Sequence, residues 1–112
     1  MSEMSNYLEN ALINVTLRAT SYTAPTTVYV SLWTSNPNDD ASGTEVTGGS
    51  YARTAVTFAA PSNGVTTNSA DVTFPTATAS WGTVGWIGIN DAQTRKGTIY
   101  DFRYCCRHFI PI

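Results

Sequence analysis

The sequence predicts a mainly β protein, a small antiparallel β-sandwich with one N-terminal α-helix. Apolar residues recur at helical spacing only near the N-terminus. After residue 26, short runs alternate apolar and polar side chains, and Pro, Gly and Asn separate the runs. The 112 residues correspond to one domain. We expect an N-terminal helix or arm over 1–20, a β-sandwich over 26–104 and a C-terminal tail over 105–112.

The helix prediction depends on its first turns. Asn6 is a candidate N-cap, and Glu9 follows three positions later, as in a capping box. Leu8, Leu12 and Val15 share one face of a helix.

Five runs predict strands, at residues 27–33, 51–60, 69–75, 80–91 and 98–104. The third ends at Pro75, a residue typical of a strand end or an edge, and the fourth is the most apolar. Gly85 and Gly88 in the fourth run indicate a bulge or a close approach by a neighbour. The residues between the first two runs, 34–50, are expected to be loop.

Composition and charge exclude several partners. Charged residues make up 12% of the chain and the net charge is −2, so attraction to nucleic acid or acidic lipid is weak. The chain has no run of about 20 apolar residues, so no membrane span is expected. The N-terminus lacks the basic and then apolar segments of a secretory signal. Synthesis in a cytoplasm is expected.

The C-terminal cluster contains Cys105, Cys106 and His108. A structural zinc site needs four ligands, and this cluster offers three without a second pair. In a strand, adjacent cysteines lie on opposite faces, and a disulfide between them would be strained. We interpret the ending as a hydrophobic segment that docks on its own domain or on a neighbour.

Catalytic motifs are not found in the sequence. It has no G-x-S-x-G, phosphate-binding loop or dinucleotide-binding fingerprint. Asp39 and Asp40 are adjacent loop acids, which are more often solvated than catalytic, and their surroundings do not match an EF-hand. We therefore expect no enzyme activity, no cofactor and no metal site.

Aromatic and terminal apolar side chains are the candidate protein-interface residues, since Trp and Tyr are favoured at interfaces. Most aromatics would fill the core or its rim, and stacking on carbohydrate is a further interpretation. The candidates are Trp33, Trp81, Trp86, Tyr104, Phe109, Ile110 and Ile112.

Three stretches of the chain, 6–33, 43–65 and 70–92, resemble small virion structural proteins of tailed bacteriophages, including cyanophages. The blocks that carry the resemblance are G-G-x-Y-A-R-x-A-V-T-F (48–58) and F-P-x-A-x-x-x-W-G-T-V (74–84). Proteins of this type are labelled tail-fibre or structural proteins, and some are capsid cement proteins. Neither block is a catalytic motif.

The resemblance implies a cement or decoration protein on the outer capsid surface as the leading function. Its partners would be the major capsid protein and other copies of itself, with a trimer slightly ahead of a dimer. The alternatives are a tail-fibre or adaptor subunit and a carbohydrate-binding module that uses Trp33 or Trp81. The chain ends sooner after residue 92 than similar proteins do, so an open sheet edge that pairs with another chain is also expected.

Overall fold

A computed structural model describes residues 2–38, 40, 42–94 and 103–108, with the backbone alone at 2–3 and 103–108. The elements are β1 (Ser2–Glu3), α1 (Asn6–Leu17), β2 (Val28–Trp33), β3 (Thr54–Val56), β4 (Trp86–Asn90) and β5 (Arg103–His108). All the strand pairs are antiparallel, in the order β1-β5-β4-β2-β3. The mainly β class with an N-terminal helix is confirmed. The described strands form one sheet, so the second layer of a sandwich remains a prediction.

Helix α1 begins one residue earlier than its predicted cap. Ser5, not Asn6, is the N-cap, and its Oγ accepts a hydrogen bond from the Leu8 N–H at 3.2 Å. At the other end, the Thr20 N–H donates to the Asn14 carbonyl at 3.1 Å while Ala19 has φ 53°. The helix therefore ends at a left-handed residue, with alanine where glycine is usual.

The predicted helix face is only partly buried. Leu8 is in the core, but Leu12 and Val15 are each 39% exposed. Among the named strands, α1 contacts only β5, and several of its apolar side chains stay exposed.

The centre of the sheet is the β2–β4 pair, in register from Tyr29 opposite Asn90 to Trp33 opposite Trp86. Ser31 Oγ donates to Asn90 Oδ1 at 2.6 Å and accepts from Trp33 Nε1 at 2.8 Å. Ser31, Trp33 and Asn90 are all 0% exposed. Buried polar groups are costly unless they are bonded, so this network fixes the positions of all three side chains.

The loop after β2 folds back onto the strand that precedes it. The Val46 N–H donates to the Leu32 carbonyl at 3.0 Å, and the Thr34 N–H donates to the Thr44 carbonyl at 2.9 Å. Gly43 permits the return, because a Cβ there would collide with the Asn36 carbonyl. Part of a segment predicted as plain loop thus pairs with the end of β2.

The chain beyond β3 forms a hairpin whose second strand was not predicted. The predicted strand 51–60 is shortened to β3, and 69–75 forms no named strand. Residues 57–69 instead pair with each other and turn at Asn63 and Gly64, which have φ 53° and 75°. Two central residues with positive φ are typical of a type I′ turn, for which Asn-Gly is preferred. We call Thr57–Ser69 the hairpin arm.

The C-terminal strand lies between β1 and β4. β5 extends through residues 105–108, which were predicted to belong to a C-terminal tail. Cys106 lies opposite Gly88 on one side and Glu3 on the other. Residues 95–102, which contain most of the predicted last strand, and residues 109–112 lie outside the described residues.

A glycine in β4 provides a test of the central packing. A Cβ added at Gly88 would lie 2.9 Å from Ser31 Oγ and 3.1 Å from Trp33 Nε1. The close approach predicted at this position is confirmed. Because the neighbours are locked in a buried network, we expect Gly88→Ala to lower the free energy of unfolding by about 1–3 kcal/mol.

The matched control is Gly85→Ala, where an added Cβ meets nothing within 4 Å. Urea unfolding of both variants and the parent measures the difference. Equal stabilities for the two variants would contradict the packing argument.

Candidate functional site

A buried ion pair closes the long loop between β2 and β3. Arg53 binds Glu45 through two hydrogen bonds, Nε to Oε1 and Nη2 to Oε2, each 2.8 Å long. The two side chains are 2% and 10% exposed. Arg53 Nη1 also donates to the Ala92 carbonyl at 3.1 Å. The guanidinium therefore joins the returning loop, the start of β3 and the segment after β4.

Tyr51 completes the cluster. Its hydroxyl donates to Glu45 Oε1 at 2.8 Å and accepts a hydrogen bond from the Leu32 N–H at 3.0 Å. Its ring stacks on Phe74 with centroids 6.2 Å apart and meets the edge of Trp81 at 5.7 Å. Burial raises the pKa of the Tyr51 phenol above its ordinary value of 10.0. The phenol therefore stays neutral and keeps donating its hydrogen bond.

An open depression of about 370 Å³ lies beside this cluster, between the returning loop and the segment after β4. The Glu45, Tyr51 and Arg53 groups that reach it hydrogen-bond one another and the nearby backbone. A fork-to-fork Arg–carboxylate pair is a strong positioning contact. The cluster therefore acts as a fastening for the loop.

Metal sites and membrane-spanning helices are the other features considered for the described part of the chain. Within it, no group of three His, Cys, Asp or Glu residues is arranged to hold a metal ion. No described helix has both the length and the apolar character to cross a membrane.

The three tryptophans predicted to lie at an interface differ in how deeply they are buried. Trp33 is fully buried within the chain and bonded to Ser31, so it is a core residue and has no surface to offer a partner. Trp86 is half-buried opposite Trp33, and Trp81 is half-buried against Tyr51. The Trp81 ring N–H donates to the Gly49 carbonyl at 2.9 Å. Trp81 thus supports the loop.

The remaining predicted interface residues are at the C-terminus. The backbone of Tyr104 lies in β5. Phe109, Ile110 and Ile112 lie outside the described residues. Their role at an interface remains a prediction.

Exposed apolar side chains occur elsewhere. One set surrounds the N-terminal helix, where Leu17 is 80% exposed. Ile13 and Leu17, apolar residues outside the face of Leu8, Leu12 and Val15, were the signal in the sequence. In the hairpin arm, Phe58 and Val65 are also exposed. We define the helix patch as Met4, Tyr7, Leu12, Ile13, Val15 and Leu17.

A comparison with protein families shows which family the chain belongs to. The family described as podophage GP4 fiber I protein gp80 matches residues 3–101. The chain belongs to this family. The match includes the helix, the ion pair, the hairpin arm and the centre of the sheet, so the gp80 family accounts for most of the chain. The resemblance to phage virion structural proteins is confirmed at this level.

The gp80 family does not by itself distinguish a capsid role from a tail role. A comparison with curated proteins gives no match.

Removing one partner of the ion pair should destabilise the chain strongly. Glu45→Gln leaves the Arg53 guanidinium buried without its counter-ion, and loss of one partner of a buried pair costs about 3–5 kcal/mol. The free energy of unfolding, from urea titration at neutral pH, measures the loss. Asp71→Asn is the control, because this exposed carboxylate also loses its charge and should change stability by less than about 0.5 kcal/mol. Similar losses in both variants would refute the fastening role.

The raised pKa of Tyr51 predicts a loss of stability in alkali. Below pH 10.0, the ordinary pKa, the phenol is neutral in both states and its contribution is fully present. Above that pH the unfolded phenol ionises first, so stability falls as pH rises toward the folded pKa. Urea unfolding between about pH 8 and 11 measures the slope. Tyr51→Phe should be less stable at pH 8 but show a shallower alkaline loss.

A Tyr51→Phe slope equal to the parent's would show that this phenol is not the group responsible.

Proposed function

We propose that the chain is a non-enzymatic structural subunit of a fibre-type projection of the phage particle. The observation that carries the proposal is its membership of a family whose description names a fibre protein. Its work would be mechanical. Contacts between protein surfaces, and not a reaction at a site, would place it in the virion.

The geometry supports a structural role. The fixed charges of Arg53 and Glu45 are engaged with each other and are not directed at a ligand. The helix patch and the hairpin arm instead expose apolar side chains at two places outside the central sheet. Apolar patches of a few hundred Å² commonly mark protein–protein contacts. The chain thus carries surfaces suited to assembly.

Capsid cement is the second candidate. A long fibre shaft needs heptads or short repeats, and the 112 residues contain neither. A cement protein on the outer capsid surface would bind the major capsid protein only in the assembled shell and stabilise that shell by mass action. The low charge suits a broad contact with little salt dependence. This role and the fibre role are about equally supported.

The carbohydrate-binding alternative loses part of its basis. Stacking on a sugar requires an accessible ring face, and Trp33 has none. Trp81, the other tryptophan considered for this role, packs edge-on against Tyr51.

Copy number per virion separates the two leading roles. Quantitative mass spectrometry of purified particles would compare this chain with the major capsid subunit. A fibre or adaptor subunit should be present at a small fraction of the capsid copy number. A cement protein should approach parity or a simple ratio.

Cryo-electron microscopy of the same particles is the independent check of location. Density for the chain at the tail would support the fibre role. Density regularly placed over the shell would reject that role in favour of cement, and absence from purified particles would reject both.

A further inference from the structure

The tip of the hairpin arm holds an Asn-Gly pair. Of the asparagines in the sequence, only Asn63 is followed by glycine. Asn63 and Gly64 are both solvent-exposed and have φ 53° and 75°. The turn that they form is closed by Ser62 and Val65, whose backbone N–H groups donate to each other's carbonyls at 2.9 and 3.0 Å. These two bonds use neither the Asn63 side chain nor the Gly64 nitrogen.

Deamidation of an asparagine uses two groups, the side-chain amide and the backbone nitrogen of the next residue. Among the described residues, neither the Asn63 amide nor the Gly64 N–H has a hydrogen-bond partner. Gly64 also has no Cβ, so no side chain crowds its nitrogen. Both groups are therefore available for reaction with each other.

Asn68 lies in the same arm, but its corresponding groups are engaged. The Asn68 side-chain Nδ2 donates to the Ala70 carbonyl at 2.9 Å, and the Ser69 N–H donates to the Thr57 carbonyl at 2.9 Å. Each of these bonds must break before its group can react. The arm thus contains one asparagine with both reacting groups open and one with both groups held.

Most of the other asparagines are held in other ways. Asn10 and Asn14 precede backbone N–H groups that belong to the hydrogen-bonded part of α1. Asn36 precedes Pro37, which has no N–H. Asn90 is 0% exposed, and its side chain accepts a hydrogen bond from a serine hydroxyl. The structure therefore singles out the arm tip.

We propose that Asn63 is a site of spontaneous deamidation through a cyclic imide. Asparagine is one of the thermolabile residues. The Gly64 nitrogen loses its proton and attacks the side-chain carbon Cγ of Asn63. A bond forms between these two atoms, the bond from Cγ to Nδ2 breaks, and ammonia leaves with the proton. Water, the only co-reactant, then opens the ring at either carbonyl and gives aspartate or isoaspartate.

Ring closure requires the Asn63 backbone to leave its turn conformation. The arm allows this change, because its backbone hydrogen bonds run between its own two strands and every residue from Thr57 to Asp71 is exposed. A two-stranded hairpin with neither face covered is marginally stable in water. The turn therefore opens without unfolding of the central sheet.

The reaction changes the arm in two ways. Between Arg53 and Asp71 the sequence has no charged residue, so deamidation puts a negative charge into a neutral stretch. Isoaspartate also adds a carbon atom to the backbone of a turn whose two residues fit between the bonded Ser62 and Val65. This inference goes beyond the proposed function, since it applies equally to a fibre subunit and to a cement protein.

Mass spectrometry of the full-length protein, incubated in its folded state at neutral pH and physiological temperature, tests the site. Fragmentation of the peptides assigns each modified position. Asn63 should convert to both aspartate and isoaspartate, several-fold faster than Asn68 converts. Asn63→Gln should abolish the modification there, because glutamine would have to close a larger ring. Equal rates at the two asparagines, or aspartate without isoaspartate, would overturn the proposal.

The matched control is Ser69→Gly, which creates a second Asn-Gly pair at an exposed position and keeps the backbone partners at Thr57 and Ala70. In this folded variant, which circular dichroism verifies, Asn68 should still react several-fold more slowly than Asn63. In denaturing urea the two should react at similar rates. Equal rates in the folded variant would show that the glycine alone decides the reaction, and would refute the structural argument.

Hydrogen exchange gives a second readout of the effect on the turn. The Val65 amide should exchange faster in the isoaspartate form than in the parent. Asn63→Asp adds the charge without the extra backbone atom, so its Val65 amide should keep the parent's rate. Unchanged exchange in the isoaspartate form would contradict the effect on the turn. The virion copy number does not depend on this reaction, so failure of either proposal leaves the other standing.

Discussion

The buried pair of Arg53 and Glu45 is the contact on which the arrangement of the chain depends. Burying two charges carries a large desolvation cost, which is offset only when the geometry is good and the remaining groups are bonded. Here the pair is bidentate, and the Ala92 carbonyl and the Tyr51 hydroxyl bind the rest. The same contact sets the start of β3. It thereby also sets the point from which the hairpin arm leaves the sheet.

The described part of the chain has a sparse apolar core and a polar centre. The sheet is held at its middle by the hydrogen-bonded Ser31, Trp33 and Asn90 side chains, where many domains place aliphatic residues. Such networks specify one geometry but add less burial than packed aliphatic side chains. The buried apolar residues are Leu8, Trp33, Val46, Val56 and Ala92.

Local patterns in the sequence were sufficient to predict the elements whose formation depends mainly on neighbouring residues. The alternation over 27–33 and the apolar run ending near residue 91 predicted β2 and β4, and helical spacing predicted α1. The cap was misplaced by one residue because Ser5 and Asn6 are both good N-caps, and only geometry chooses between them. The alternation over 51–60 could not reveal where β3 ends and the arm begins, since both are extended.

The functional features were harder to predict because they depend on distant residues. Glu45 and Arg53 are separated by a glycine-rich turn, and nothing in their spacing shows that the two side chains meet in the interior. Trp33 was predicted to face a partner because tryptophan is common at interfaces. Residue type alone could not show that Ser31 and Asn90 hold its ring N–H inside. The Asn63–Gly64 turn was the available signal for the arm, and it was interpreted as a simple connection between strands.

Charge placement connects the fold with assembly. The chain has 6 basic and 8 acidic side chains apart from its histidine, and one of each is consumed in the buried pair. The exterior is therefore even less charged than the composition indicates. A nearly neutral exterior lowers like-charge repulsion in contacts with other proteins. It also makes those contacts less sensitive to ionic strength. The ion pair thus fastens the loop and also withdraws two charges from the surface.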